Sequence, residues 1–103
     1  MMVVVSVLYP LAGGKKFDAD YYLNSHVPWV GELMTPMGMK DIRVREALEL
    51  EPGVLPEFSW VADLYFETME ELNAALAEHG PATQADIPNF TDSTPIIQIS
   101  HVR

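Results

Sequence analysis

The stretch FSWVADLYF, Phe58 to Phe66, places the tightest limit on what this chain can fold into. Read as a strand with side chains alternating between two faces, it puts Phe58, Trp60, Ala62, Leu64 and Phe66 on one face. Val61 and Tyr65 then fall on the other face. An antiparallel sheet with one face in water should instead alternate apolar with polar residues. Two other stretches break that rule in the same way. VVVSVLY (Val3 to Tyr9) is apolar on both sides, and PIIQISHV splits its isoleucines between Ile96 and Ile97. A sheet built from these strands needs cover on both faces.

The remaining segments supply cover for one face only. VVVSVLY is β-branched and aromatic and is bounded by Pro10 and the pair Gly13-Gly14, which makes it a strand. Phe17 to about Thr35 carries a helical period that Pro36 and Gly38 end. DIRVREALEL alternates through Ile42, Val44, Leu48 and Leu50, and EPGVLPE then connects it to the FSWVADLYF strand. Thr68 followed by Glu71 is a capping box, and MEELNAALAEH runs from it until Gly80 stops the helix. PATQADIPNFTDST shows little regular pattern beyond one helical turn, and PIIQISHV closes the chain as a strand.

The order β-α-β-β-α-β describes a ferredoxin-like α+β fold, with four antiparallel strands and two helices on one face. The expectation is one domain spanning residues 1–103, with no internal linker or repeat. The second apolar face predicts a homodimer, because a second copy related by a two-fold axis is the simplest cover for it.

Composition excludes several partners. Six basic against fifteen acidic side chains give a net charge of -9, which disfavours phosphate backbones and anionic lipid, so neither nucleic acid nor membrane is expected. No apolar run approaches a membrane span, and MMVVVSVLYP lacks the basic start and the cleavage site of a signal peptide. With no cysteine there is no disulfide framework or thiolate nucleophile, which fits a reducing cytoplasm. Walker loops, dinucleotide fingerprints and nucleophile elbows are missing from the sequence.

One residue stands out against this background. In DYYLNSHVPWV, Asp20 to Val30, a histidine lies mid-helix with a proline two residues on. At about 100° per residue His26 falls in the apolar stripe with Tyr22, Val30 and Leu33, facing the sheet. Pro28 lies on the outer side, where it removes a backbone hydrogen bond and should kink or loosen the helix beside His26. The bland alternative is a core histidine bonded to a carbonyl or to Tyr22. The functional one is a neutral, buried imidazole that moves a proton on an apolar substrate, with Tyr22 orienting it or donating to a developing oxyanion.

Other polar residues are weaker candidates. Glu46 and Asp63 lie in strands and either could face inward as a carboxylate partner of His26, although a charge near a strand edge is the simpler account. His79 sits at the expected end of the second helix and His101 near the end of the last strand. The three histidines lack metal-ligand spacing, so no metal is expected. Trp29, at the margin of the stripe, could line a cleft mouth, and Asn89 could offer a polar contact at the rim. With Val30, Leu33, Trp60 and Phe90 they make up the expected substrate-binding set.

VSVLYP, FDADYYLNSHVP, ADLYF and DIPNFTDSTPIIQIS together resemble the EthD family, named for a protein linked to ethyl tert-butyl ether degradation. The helix motif matches at Phe17, Asp18, Tyr21, Tyr22, His26 and Pro28, and the late element at Asp86 to Asp92. The resemblance covers nearly the whole chain. It implies a dimeric α/β barrel, in which two ferredoxin-like sheets close on each other, with a cleft between each sheet and its own helices. Similar folds host isomerases, cofactor-free monooxygenases, cyclases and haem-degrading proteins, so fold alone does not choose a chemistry. The resemblance supports two readings. One is a cofactor-independent enzyme using His26. The other is a non-catalytic accessory or ligand-binding protein for an oxidative, cytochrome P450-type degradation system.

Overall fold

The computed structural model describes residues 2–12 and 16–103. The Gly13-Gly14 turn expected from the sequence lies outside the described residues. Four strands, β1 (Val3–Pro10), β2 (Met39–Glu46), β3 (Phe58–Phe66) and β4 (Ile96–His101), form one antiparallel sheet in the order β2-β3-β1-β4. Two helices lie between the strands in sequence, and both pack on one face of the sheet, as the ferredoxin-like order requires. Among the described residues no helix is long and apolar enough to cross a membrane.

The pairing register defines what each face carries. Val5 opposes Leu64, which opposes Ile42, and Val7 opposes Ala62, which opposes Val44; these point toward the helices. They form a largely aliphatic core with Val30, Met34 and Leu72, to which Phe66 adds one aromatic ring. The opposite face presents Val4 against Tyr65 and Leu8 against Val61 and Ile96, so its apolar residues are those that the alternation of Phe58–Phe66 exposes. Among them lies a polar patch, in which Ser6 donates to Asp63 Oδ1 at 2.6 Å and Arg45 to Asp63 Oδ2 at 3.0 Å. On β4 the helices do not reach far enough to cover the sheet, and Ile97 and Ile99 each remain 44% exposed.

Three expectations about element boundaries fail for local physical reasons. β2 ends at Glu46, and Leu48 and Leu50 project into solvent at 85% and 88% exposure. Their alternation continues past the point where β3 provides a pairing partner, since Glu46 already opposes Trp60 near the start of that strand. The second helix does not stop at Gly80. It runs from Met69 to Asp86 with Pro81 inside it and passes into a 3-10 turn, Ile87–Asn89. A proline crowds the Cβ of the residue before it when that residue is helical, and glycine has none. Gly80 therefore lets the helix continue into Pro81. The Thr83 hydroxyl then donates to the His79 and Gly80 carbonyls at 2.9 and 3.0 Å. His79 consequently sits within this helix and not at its end.

The expected cap of that helix is present, with the Thr68 hydroxyl accepting from Glu71 N at 3.1 Å. The first helix begins at Ala19, with the Asp18 carboxylate accepting from Tyr21 N. Its α-helical turn Ala19–Tyr21 opens into a π-helical turn, Tyr22–His26, before Val27–Met34 resumes the α-helix. Val27 N donates to the Tyr22 carbonyl, one residue further back than in an α-helix. Pro28 explains why the widened turn sits here: having no N–H, it cannot hold the tighter ladder on this side.

Candidate functional site

His26 emerges from the π-helical turn onto the sheet-facing side of the helix and is 7% exposed. Its Nδ1 lies 2.9 Å from Asp86 Oδ2. Asp86 is the last residue of the second helix, so the contact exists because that helix continues past Gly80-Pro81. Tyr21 donates to Asp86 Oδ1 at 2.7 Å, and the Asn89 amide donates to the same oxygen at 2.9 Å. The carboxylate thus has three donors around it.

That arrangement determines its charge. Desolvation alone would raise the Asp86 carboxyl, but the bonds from His26, Tyr21 and Asn89 outweigh it and hold it below the usual carboxylate value. The Tyr21 hydroxyl moves the opposite way, raised chiefly by its bond to Asp86, because ionisation would set two anions against each other. An ionised carboxylate only accepts hydrogen bonds, so Nδ1 of His26 carries the proton. In the neutral imidazole this leaves Nε2 as a bare acceptor.

The carboxylates expected as partners are elsewhere. Glu46 is exposed at the end of β2. Asp63 is buried but belongs to the other face of the sheet, where it binds Ser6 and Arg45. Sequence periodicity assigned both to strands correctly, yet could not show that the acid reaching His26 lies sixty residues away at a helix end.

Beside His26 lies a cavity of about 330 Å³ between the helices and the sheet. It follows the seam between the aliphatic core and an aromatic cluster of Tyr9, Tyr22, Trp60, Ile87 and Phe90. Val5, Ala62 and Leu64 of the sheet, Val30 and Met34 of the first helix, and Leu76, Gly80 and Ile87 from the second helix onward contribute to its wall. Among the described residues no lysine, arginine, aspartate or glutamate lines it.

The expected site residues divide between the wall and the packing behind it. Tyr22, His26 and Val30 line the cavity. Phe90 is fully buried behind His26, with ring centroids 4.7 Å apart, and Trp29 meets the imidazole edge-on at 6.3 Å. Trp60 stacks on Phe17 within the aromatic cluster, Leu33 is half-buried outside the wall, and Asn89 is exposed, bonded to Asp86. The Tyr22 hydroxyl is buried without a hydrogen-bond partner, and burial raises its pKa strongly. Tyr9, which was not among the expected site residues, also lines the cavity; burial, and then the neighbouring Tyr22, keep its hydroxyl protonated. His101 is exposed at the end of β4. Among the described residues no group of three or more His, Cys, Asp or Glu could hold a metal ion.

The two stretches that carry the family resemblance meet at this site. Asp18 N donates to the Phe90 carbonyl at 2.7 Å, and the Thr91 hydroxyl donates to the Lys16 carbonyl at 2.7 Å. The start of the first helix is therefore tied to the turn that carries Asn89 and Phe90.

An EthD-like protein from Ralstonia eutropha JMP134 shares 32% identity with this chain, covering 98% of it and 91% of that protein, at a TM-score of 0.88. The chain belongs to the EthD family. An EthD family protein from Bacillus halodurans C-125 superposes along the full length of both chains at a TM-score of 0.77 and 22% identity. SnoaB from Streptomyces nogalater, a cofactor-independent oxygenase, shares the fold at a TM-score of 0.64 and 14% identity, covering 99% of this chain and 92% of that one. No family model matches the chain, and no curated protein matches it in sequence.

Proposed function

We propose that this EthD protein is a homodimer that binds a hydrophobic small molecule in the cavity and moves a proton on it through His26, without a cofactor. The observation that carries this reading is the His26–Asp86 pair, whose Nδ1 side is bonded to the carboxylate at 2.9 Å while the imidazole borders the apolar cavity. Asp86 acts as the positioning residue. It holds the tautomer in which Nε2 is the base, and it stabilises the imidazolium that forms when the proton arrives. Removal from water matters as much, because the apolar wall excludes competing proton acceptors from the reacting position. Tyr22 takes the role of supporting donor in this scheme, and Val30 contributes to the apolar grip. Trp29, Leu33, Trp60, Asn89 and Phe90 act from behind the wall, by fixing His26, Asp86 and the helix that carries them.

The test is deuterium uptake from D2O into a panel of apolar ring compounds with enolisable or ionisable positions, followed by NMR. The wild-type protein should accelerate uptake into at least one. His26→Asn should fold, dimerise and bind the same compound while losing about a hundredfold or more of that rate. Uptake at the buffer rate, or equal uptake with His26→Asn, would overturn the acid–base role. Retention of the compound unchanged would leave a binding protein.

A further inference from the structure

The donor pattern around Asp86 dictates which polar group a ligand must bring. Three donors converge on this carboxylate, from His26 Nδ1, Tyr21 Oη and Asn89 Nδ2, at 2.7 to 2.9 Å. With its Nδ1 proton committed there, a neutral His26 offers the cavity a lone pair on Nε2 and no proton. Placed against Nε2, an ether or ketone oxygen, which has only lone pairs, would meet another lone pair; it could only accept elsewhere in the cavity, as from the Tyr22 hydroxyl. A hydroxyl fits, because it donates.

The remaining wall defines the rest of the molecule. It is mostly aliphatic and aromatic, with Thr83 and Gln84 as its other polar members and no charged side chain among the described residues. The carboxylate behind His26 offsets any positive charge that the imidazole acquires, and the whole chain carries -9. A carboxylate or phosphate ligand would enter without a counter-charge. Size sets the last limit. An apolar cavity of about 150 Å³ takes one benzene ring, so one of about 330 Å³ takes two.

We infer that the ligand is an uncharged, two-ring hydrocarbon skeleton carrying a hydroxyl, phenolic or enolic, that donates to His26 Nε2. This rests on the reading of the cavity as a ligand site and adds to it the polar group that the ligand presents.

Titration calorimetry with 2-naphthol, 2-methoxynaphthalene, naphthalene and 2-naphthoate at neutral pH tests it. 2-Naphthol should bind about five- to tenfold tighter than its methyl ether, the usual net effect of one neutral hydrogen bond. 2-Naphthoate should bind more weakly than 2-naphthol by at least about tenfold, given an unpaired charge in an apolar wall. Nitrogen-15 spectra of the free protein should show Nδ1 protonated and Nε2 bare, with Nε2 the nitrogen that responds to 2-naphthol. Ala62→Leu, which fills the cavity from β3, should weaken all four compounds together.

Equal binding of 2-naphthol and its methyl ether, tighter binding of 2-naphthoate, or a bare Nδ1 would each overturn the hydroxyl assignment while leaving the cavity as a ligand site. If none of the four binds, or Ala62→Leu changes none of them, the ligand site itself fails and the inference goes with it.

Discussion

His26 Nδ1 and Asp86 Oδ2 lie 2.9 Å apart although sixty residues separate them in sequence. The contact joins the π-helical turn of the first helix to the last residue of the second. It brings an imidazole, a carboxylate and an apolar cavity together, and most of what can be tested about this protein follows from it.

Asp86 should make the fold sensitive to acid. Its folded-state carboxyl lies below the usual value, so the unfolded chain takes up the proton before the folded one does. The stabilisation is fully present above the ordinary carboxylate range, about pH 4, and is lost as the pH falls through the folded value. Melting temperature measured against pH should therefore drop more steeply below that range in the wild type than in Asp86→Asn. Parallel curves would show that the three hydrogen bonds to Asp86 do not favour its ionised form.

Tyr22→Phe gives a prediction of unusual sign. The hydroxyl is buried with no partner, so deleting it removes a desolvation cost without breaking a bond. The variant should be as stable as the wild type or more so, by up to about 1 kcal/mol, which is about 4–8 °C in a domain of this size. A fall of several degrees in thermal melts would mean that the oxygen is held by a group absent from the protomer, such as the second subunit or a ligand.

The uncovered sheet face makes a prediction about assembly. Val4, Leu8, Val61, Tyr65 and Ile96 lie on it, away from both helices. A second copy stacked there should bury roughly 800 Å² or more on each subunit, the size of a standard stable interface. Sedimentation should give a dimer at micromolar concentration, and Val61→Asp should shift it to monomer by placing an unpaired charge at the centre. A monomeric wild type at that concentration would rule the arrangement out.

Capping offers a control remote from the cavity. Thr68→Ala removes the acceptor for Glu71 N and should cost about 1 kcal/mol. Ligand binding should be unchanged, as measured by the same calorimetry. A parallel loss of binding would mean that the second helix transmits strain along its length to Asp86.

The sequence by itself determined the strand and helix order, the apolar load on both faces of the sheet, and the inward phase of His26. All three follow from local periodicity, because a strand repeats every two residues and a helix about every 3.6, so burial is written into neighbouring positions. Pro28 likewise announced a disturbed helix, although whether it would kink the axis or widen one turn depended on packing. Tertiary structure decided the rest. Asp86, and not Glu46 or Asp63, became the partner of His26 because the second helix runs on through Gly80 and Pro81, a pair that local rules read as a stop. The cavity arose in the same way: the aliphatic and aromatic halves of the core meet without filling the seam between them. No spacing of residues encodes such a void, since it depends on how far apart the two helices hold their side chains above the sheet.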